Sequence, residues 1–158
     1  QVIDDVGHPE ELTTSRIIFH QNDILFGAIR PYFHKVVFCP FKGVTNTSVF
    51  VLRSKDKLYE SYIFCLLNSY ETVNYATTFS SGTKMPVISW NVFKNMKIVF
   101  PTHQSLKEFN ELIKPMLELI QNLNNQNFVL MKLRDLLLPK LMSGEIDVSK
   151  LDININEK

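Results

Sequence analysis

From Thr102 to Leu141 the chain contains no glycine and few β-branched residues, and its apolar side chains recur at steps of three and four. Those steps select Leu106, Phe109, Ile113, Met116, Ile120, Leu123, Asn127, Leu130, Arg134, Leu137 and Leu141, and nine of the eleven are apolar. A repeat held over five heptads specifies a long α-helix with a coiled-coil seam. The alternative is a helix packed on its own domain. It predicts a wider stripe, and Leu117, Leu119, Leu133, Leu136 and Leu138 do widen the seam in places. Thr102 is a fair N-cap. Pro115 has no amide hydrogen to donate to residue 111, so a kink is expected there, with a short helix followed by a longer one. Asn127 on the seam costs stability but can fix register against a polar partner. Pro139 and Ser143-Gly144 end the helix. A seam needs a second helix, and this sequence offers one long helical stretch only, so another copy or another polypeptide segment must supply it.

The first hundred residues read differently. Residues 16–20, 24–28, 34–38 and 48–52 are short, β-branched and aromatic, separated by Asn-Asp, Arg-Pro and Lys-Gly breaks, and are expected to be strands. Residues 57–68 and 69–76 change to helical spacing. "SSGTKMP" (80–86) is a polar loop in which Gly82 permits a positive φ. Val87-Ile88 is expected to be extended, with Ser89 as the N-cap of a single turn. "MKIVFP" (96–101) is expected to be a last strand. "GVTNTSVF" (43–50) reads as a strand whose Asn46 and Thr47 face solvent. The tail from 145 to 158 is expected to hold one short extended segment before fraying. The fold class is therefore α+β: a small mixed domain over 1–101, a long helix over 102–143 and a tail over 144–158.

The 158 residues are 45% hydrophobic and 21% charged, a globular balance. Cys39 and Cys65 lie in apolar surroundings and are expected to be buried free thiols, in keeping with a reducing cytoplasm. No run approaches the roughly 18 apolar residues of a membrane span. No GxGxxG, GxxxxGK[ST], HExxH or CxxC occurs, and His8, His20, His34 and His103 are scattered without ligand spacing, so no catalytic, nucleotide or metal signature is visible.

Net charge is +1, so any nucleic-acid binding must come from local clustering. Residues 15–57 hold seven basic and two acidic side chains, whereas residues 101–158 hold seven and eight. Within the basic region, "NDILFGAIRPYFHKVVF" (22–38) places Arg30, Tyr32, Phe33, His34 and Lys35 where two apolar runs turn. Arg30 and Lys35 suit phosphates, and Arg30 suits a guanine edge. Tyr32 and His34 can stack or hydrogen-bond. Phe33 is expected in the core. Ser81, Thr83 and Lys84 in the polar loop offer hydroxyls and a cation. The plainer readings are an ordinary solvated turn and a simple connector.

Three stretches together resemble the specificity subunit of type I restriction-modification enzymes: "NDILFGAIRPYFHKV", "SSGTKMPVISWNVFKNMKIVFP" and "LRDLLLPKLMSGEIDV" (133–148). Their order matches as well, and the resemblance covers residues 15–148. It implies one target-recognition domain, with its beginning missing or short, followed by a spacer helix that pairs antiparallel with another. A complete subunit usually holds two such domains, so this chain looks like a C-terminal half or a half-subunit that pairs with a copy. The resemblance implies a non-catalytic DNA reader. Arg30, Lys35, Lys42 and Lys84 would grip phosphates, and Tyr32, His34, Asn46, Thr47 and Thr83 would meet base edges or sugar, with Arg16 and Ser81 in the same interface. No cofactor is expected on the chain itself. S-adenosylmethionine, Mg2+ and ATP belong to the expected partners, an adenine methyltransferase subunit and a motor-nuclease subunit. The different-class alternative is an assembly module that dimerises through its helix and does not bind DNA.

Overall fold

A computed structural model describes residues 15–146. The chain divides into two compact units, Gln1–Leu119 and Ile120–Lys158.

In the first unit, strand β2 (Ile24–Gly27) is central in a three-stranded antiparallel sheet, flanked by β3 (Val36–Phe38) and β5 (Val49–Leu52). A separate ribbon pairs β1 (Arg16–Phe19) with β4 (Gly43–Asn46). Period-two burial explains the central strand: Ile24, Phe26 and Ala28 are buried while Leu25 and Gly27 are half-buried. Against that face lie Leu67 of α1 (Glu60–Leu67), Ala76 of α2 (Tyr70–Thr78) and Phe93 of α3 (Trp90–Phe93). Phe26 anchors this core, its ring 4.6 Å from Phe93 and 6.5 Å from Phe50, and burying a side chain of that size contributes roughly 1.5–3 kcal/mol.

Local signals set the helix boundaries. Ser69 caps α2 by accepting from the Thr72 amide at 3.2 Å, and Ser89 accepts from the Val92 amide at 3.4 Å. Thr102 likewise accepts from the Ser105 amide at 3.2 Å, as its place before α4 (His103–Met142) predicts. At the Ile24 end of the sheet, Arg53 grips buried Asp23 with two 2.7 Å hydrogen bonds. Arg53 holds the Asp23 carboxyl below its usual range, against the opposing effect of burial and with help from the His20 amide. Cys39 is buried and Cys65 half-buried, both free. Burial, then the Asp23 charge, pushes the Cys39 thiol up to about 12.

Four expectations change. Residues 96–101 form no strand, and Val99 and Phe100 are 80% and 68% exposed. Among the described residues, no sheet edge is paired with them. Instead the Tyr62 hydroxyl donates to the Val99 carbonyl and Tyr59 packs on Phe100, which holds the segment as a connector. The stretch 43–50 is two strands, β4 and the start of β5, separated by a turn. The helix does not divide at Pro115: α4 is one helix of 40 residues. Glu111 and Pro115 are both exposed, so water can satisfy the carbonyl that loses its amide partner. Phe33 lies outside the core, 52% exposed. The expectations for residues 147–158 fall outside the described residues.

Within α4, Leu106 is buried and Phe109 meets the Tyr62 ring edge-on, so these two seam positions are engaged inside the first unit. Ile113 is half-buried and Met116 exposed. In the second unit Ile120, Leu123, Asn127, Leu130 and Leu137 are all exposed.

Candidate nucleic-acid interface

The β2–β3 hairpin is closed by a single 3-10 turn, Pro31–Phe33. Pro31 supplies the φ that a first helical position needs, and its ring is buried. The residues on either side, Arg30 (φ 49°) and His34 (φ 55°), adopt the left-handed conformation without being glycine. Each such residue costs on the order of 1 kcal/mol or more and persists only when its surroundings fix it. Here they do. The Arg30 amide donates to the Pro86 carbonyl at 2.7 Å, and the His34 amide to Pro31 at 2.8 Å. The His34 Nε2–H reaches the Asn68 carbonyl at 2.8 Å, with Tyr70 edge-on at 5.4 Å.

A second loop is laced to this turn. Ser81 and Val87 exchange backbone hydrogen bonds at 3.0 and 2.9 Å, closing residues 81–87 into a tight loop. Gly82 turns it at φ 103°, where a Cβ would sit 3.1 Å from the Met85 carbonyl oxygen. Val87 also bridges Ile29, and Arg30 Nη2 donates to the Lys84 carbonyl at 3.4 Å. Arg30 and Lys84, 54 residues apart, therefore lie at one end of the sheet.

A third loop joins them. The Ala28 amide donates to the Ser48 carbonyl at 2.9 Å, bringing the β4–β5 turn to the same end. Asn46 Oδ1 accepts from the Ser48 amide at 3.0 Å, so that oxygen holds its own turn. Arg16 is the cross-strand neighbour of Asn46.

The structure thus gathers Arg30, Tyr32, His34, Lys35, Asn46, Thr47, Ser81, Thr83 and Lys84 around three converging loops, with Arg16 at the Asn46 end of the ribbon. Lys42 is not gathered. It precedes Gly43, which pairs with Phe19 at the far end of β4. His34 acts as a brace, because its Nε2 is committed to Asn68. Arg30 ties two loops and lies over the Phe33 ring at 6.0 Å, while its Nε is buried without a partner. Two exposed aromatics here escape sequence reasoning, Phe33 and Tyr70 (75% exposed). Tyr70 directly follows the Ser69 cap, a signal that locates the helix start without telling which side chain faces outward.

A family model described as the type I restriction modification DNA specificity domain matches residues 10–128. The chain belongs to that family. The match takes in the turn, the laced loop and the first part of α4, and so covers the first two of the three stretches that carry the resemblance seen in the sequence, while the third, residues 133–148, lies beyond it. The chain is 34% identical over 121 residues to the type I restriction enzyme MjaIX specificity subunit of Methanocaldococcus jannaschii, covering 74% of this chain and 27% of that one. It is 27% identical over 137 residues to the MjaVIII specificity subunit of the same organism, covering 84% and 31%. This specificity-domain chain therefore spans less than a third of the length of these curated relatives. Among the described residues, no helix is long and apolar enough to cross a membrane.

Proposed function

We propose that this specificity domain is a non-catalytic reader of double-stranded DNA that recognises one half of a bipartite site. The observation that carries the reading is the lacing of the Arg30 turn to the Lys84 loop, which sets basic, hydroxyl and aromatic side chains on one rigid end of the sheet. Lys35 and Lys84 are exposed and suit phosphates, whereas Ser81, Thr83, Thr47 and Tyr32 suit sugar or base edges. The apolar face of residues 120–141 is exposed along its length and fits a second spacer helix, from another copy or another half. The reader then docks a methyltransferase subunit that carries S-adenosylmethionine and flips out the target adenine. A motor-nuclease subunit using ATP and Mg2+ completes the restriction enzyme. No cofactor is assigned to this chain.

Selection of duplexes from a random pool by the intact polypeptide tests this. The reader enriches one short sequence, and its affinity falls with salt by about 0.9 log units per log unit of salt for each phosphate neutralised. Failure to retain any duplex at low salt favours the alternative, an assembly module that dimerises through α4.

A further inference from the structure

We propose that Phe33 is a specificity-determining residue that contacts the 5-methyl group of a thymine in the major groove, an inference that rests on the DNA-reading function above. Phe33 is 52% exposed in a domain whose core accepts Phe26 and Phe93 at 1% and 4%, but Phe79 and Phe100, at 55% and 68%, show that exposure by itself does not mark a contact residue. What distinguishes Phe33 is the backbone that holds it. Phe33 ends the 3-10 turn, its amide donates to the Arg30 carbonyl at 3.0 Å, and it is flanked by the left-handed Arg30 and His34. Buried Pro31 and the His34–Asn68 hydrogen bond fix the turn from both sides, so the ring is presented by backbone that cannot readily fold it inward.

The neighbours of the ring decide what it can touch. Lys35 Nζ lies over it at 5.5 Å and the Arg30 guanidinium at 6.0 Å, while Tyr32 packs at 4.8 Å, tilted by 59°. Cations over an aromatic ring are held by its quadrupole. An intercalating ring must offer both faces to the flanking bases, and one with cations above it instead offers its edge. An apolar edge accompanied by two cations suits a groove lined by phosphates. The apolar group that the major groove displays is the thymine methyl, which phenylalanine is able to read. The two cations would meet phosphates while the edge meets the methyl.

The test uses the intact polypeptide and the duplex it selects, with each thymine of the half-site replaced in turn by uracil, which lacks only the methyl. Wild-type protein should lose about fourfold in affinity at one thymine, the equivalent of a single buried apolar carbon. Phe33→Ala should bind the thymine duplex about fourfold more weakly, show no further loss with uracil at that position, and keep the wild-type salt slope. Phe33→Leu, which keeps an apolar edge, should retain part of the discrimination. A uracil penalty that persists in Phe33→Ala, or no penalty at any position in wild type, overturns the thymine contact and leaves DNA reading intact. Absence of any duplex binding overturns both.

Discussion

The sheet of the first unit and the helical segment of the second are both rich in apolar residues, and they use them in opposite ways. Val36 and Phe26 are 0% and 1% exposed, whereas Leu130 and Leu136 are 60% and 64% exposed. The sheet closes its core with residues from its own helices. The segment over 120–142 finds no such cover among the described residues, and helices of this kind owe most of their stability to packing of the apolar face. The first unit therefore holds its own core, while the second leaves its apolar face open, as the proposed pairing with a second helix requires. Under the proposed function that division is required, because a reading head must keep its shape whether or not its helix has paired.

The comparison breaks most readily at Phe26. Phe26→Ala should destabilise the head by about 3–5 kcal/mol in chemical denaturation, through lost burial and the cavity left against Phe50 and Phe93. A loss below about 1 kcal/mol would mean that the sheet is not the stabilising core. Ile120→Asp comes next. It is 52% exposed in the chain, so the head should melt unchanged, while association through the helix weakens by roughly 3 kcal/mol, about a hundredfold. Sedimentation equilibrium separates the outcomes, and unchanged association would remove residue 120 from the seam.

Two smaller effects sharpen the division. Arg30→Ala combined with Lys35→Ala should leave association intact and reduce the slope of log affinity against log salt by about 2, one for each phosphate contact. Equal slopes for the variant and wild type would take the turn off the DNA. The smallest effect is with pH. The Asp23 carboxyl titrates lower in the folded chain than its unfolded value of about 3.9, so the Arg53 clamp stabilises fully above that value and is lost as pH falls through the folded one. Thermal melting of the head should therefore be flat from neutrality to about pH 5 and drop in acid. Asp23→Asn should remove that part of the acid limb, and a variant with an unchanged acid limb would show that other groups set it.

What was legible in the sequence follows from how local each signal is. The helix caps at Ser89 and Thr102, the hairpin around Arg30 and the positive φ of Gly82 each depend on a few adjacent residues, and each could be read directly, whereas Ser69, read as the first helical residue, is the cap of α2. Residues 96–101 have strand propensity, but propensity does not say whether a sheet edge is available, and none among the described residues pairs with them. Pro115 lacks a donor in any context, yet whether the helix breaks depends on access of water to the freed carbonyl. Phe33 looked like core because hydrophobicity carries no direction; the left-handed residues on either side turn it outward. The motif resemblance placed Arg30 and Lys84 in one interface, but only the Ile29–Val87 bridge explains how residues so far apart in sequence come together. The same geometry leaves Lys42 at the far end of its strand.

The central claim is that the end of the sheet carrying the Arg30 turn and the Lys84 loop meets the double helix. Amide hydrogen exchange of the intact polypeptide, with and without its selected duplex, tests it most directly. The account predicts slowed exchange on DNA binding in residues 28–35 and 81–87, with no change around His20, Asp23 and Arg53 at the other end of the sheet. Protection confined to that other end, with the two loops exchanging as before, would contradict it.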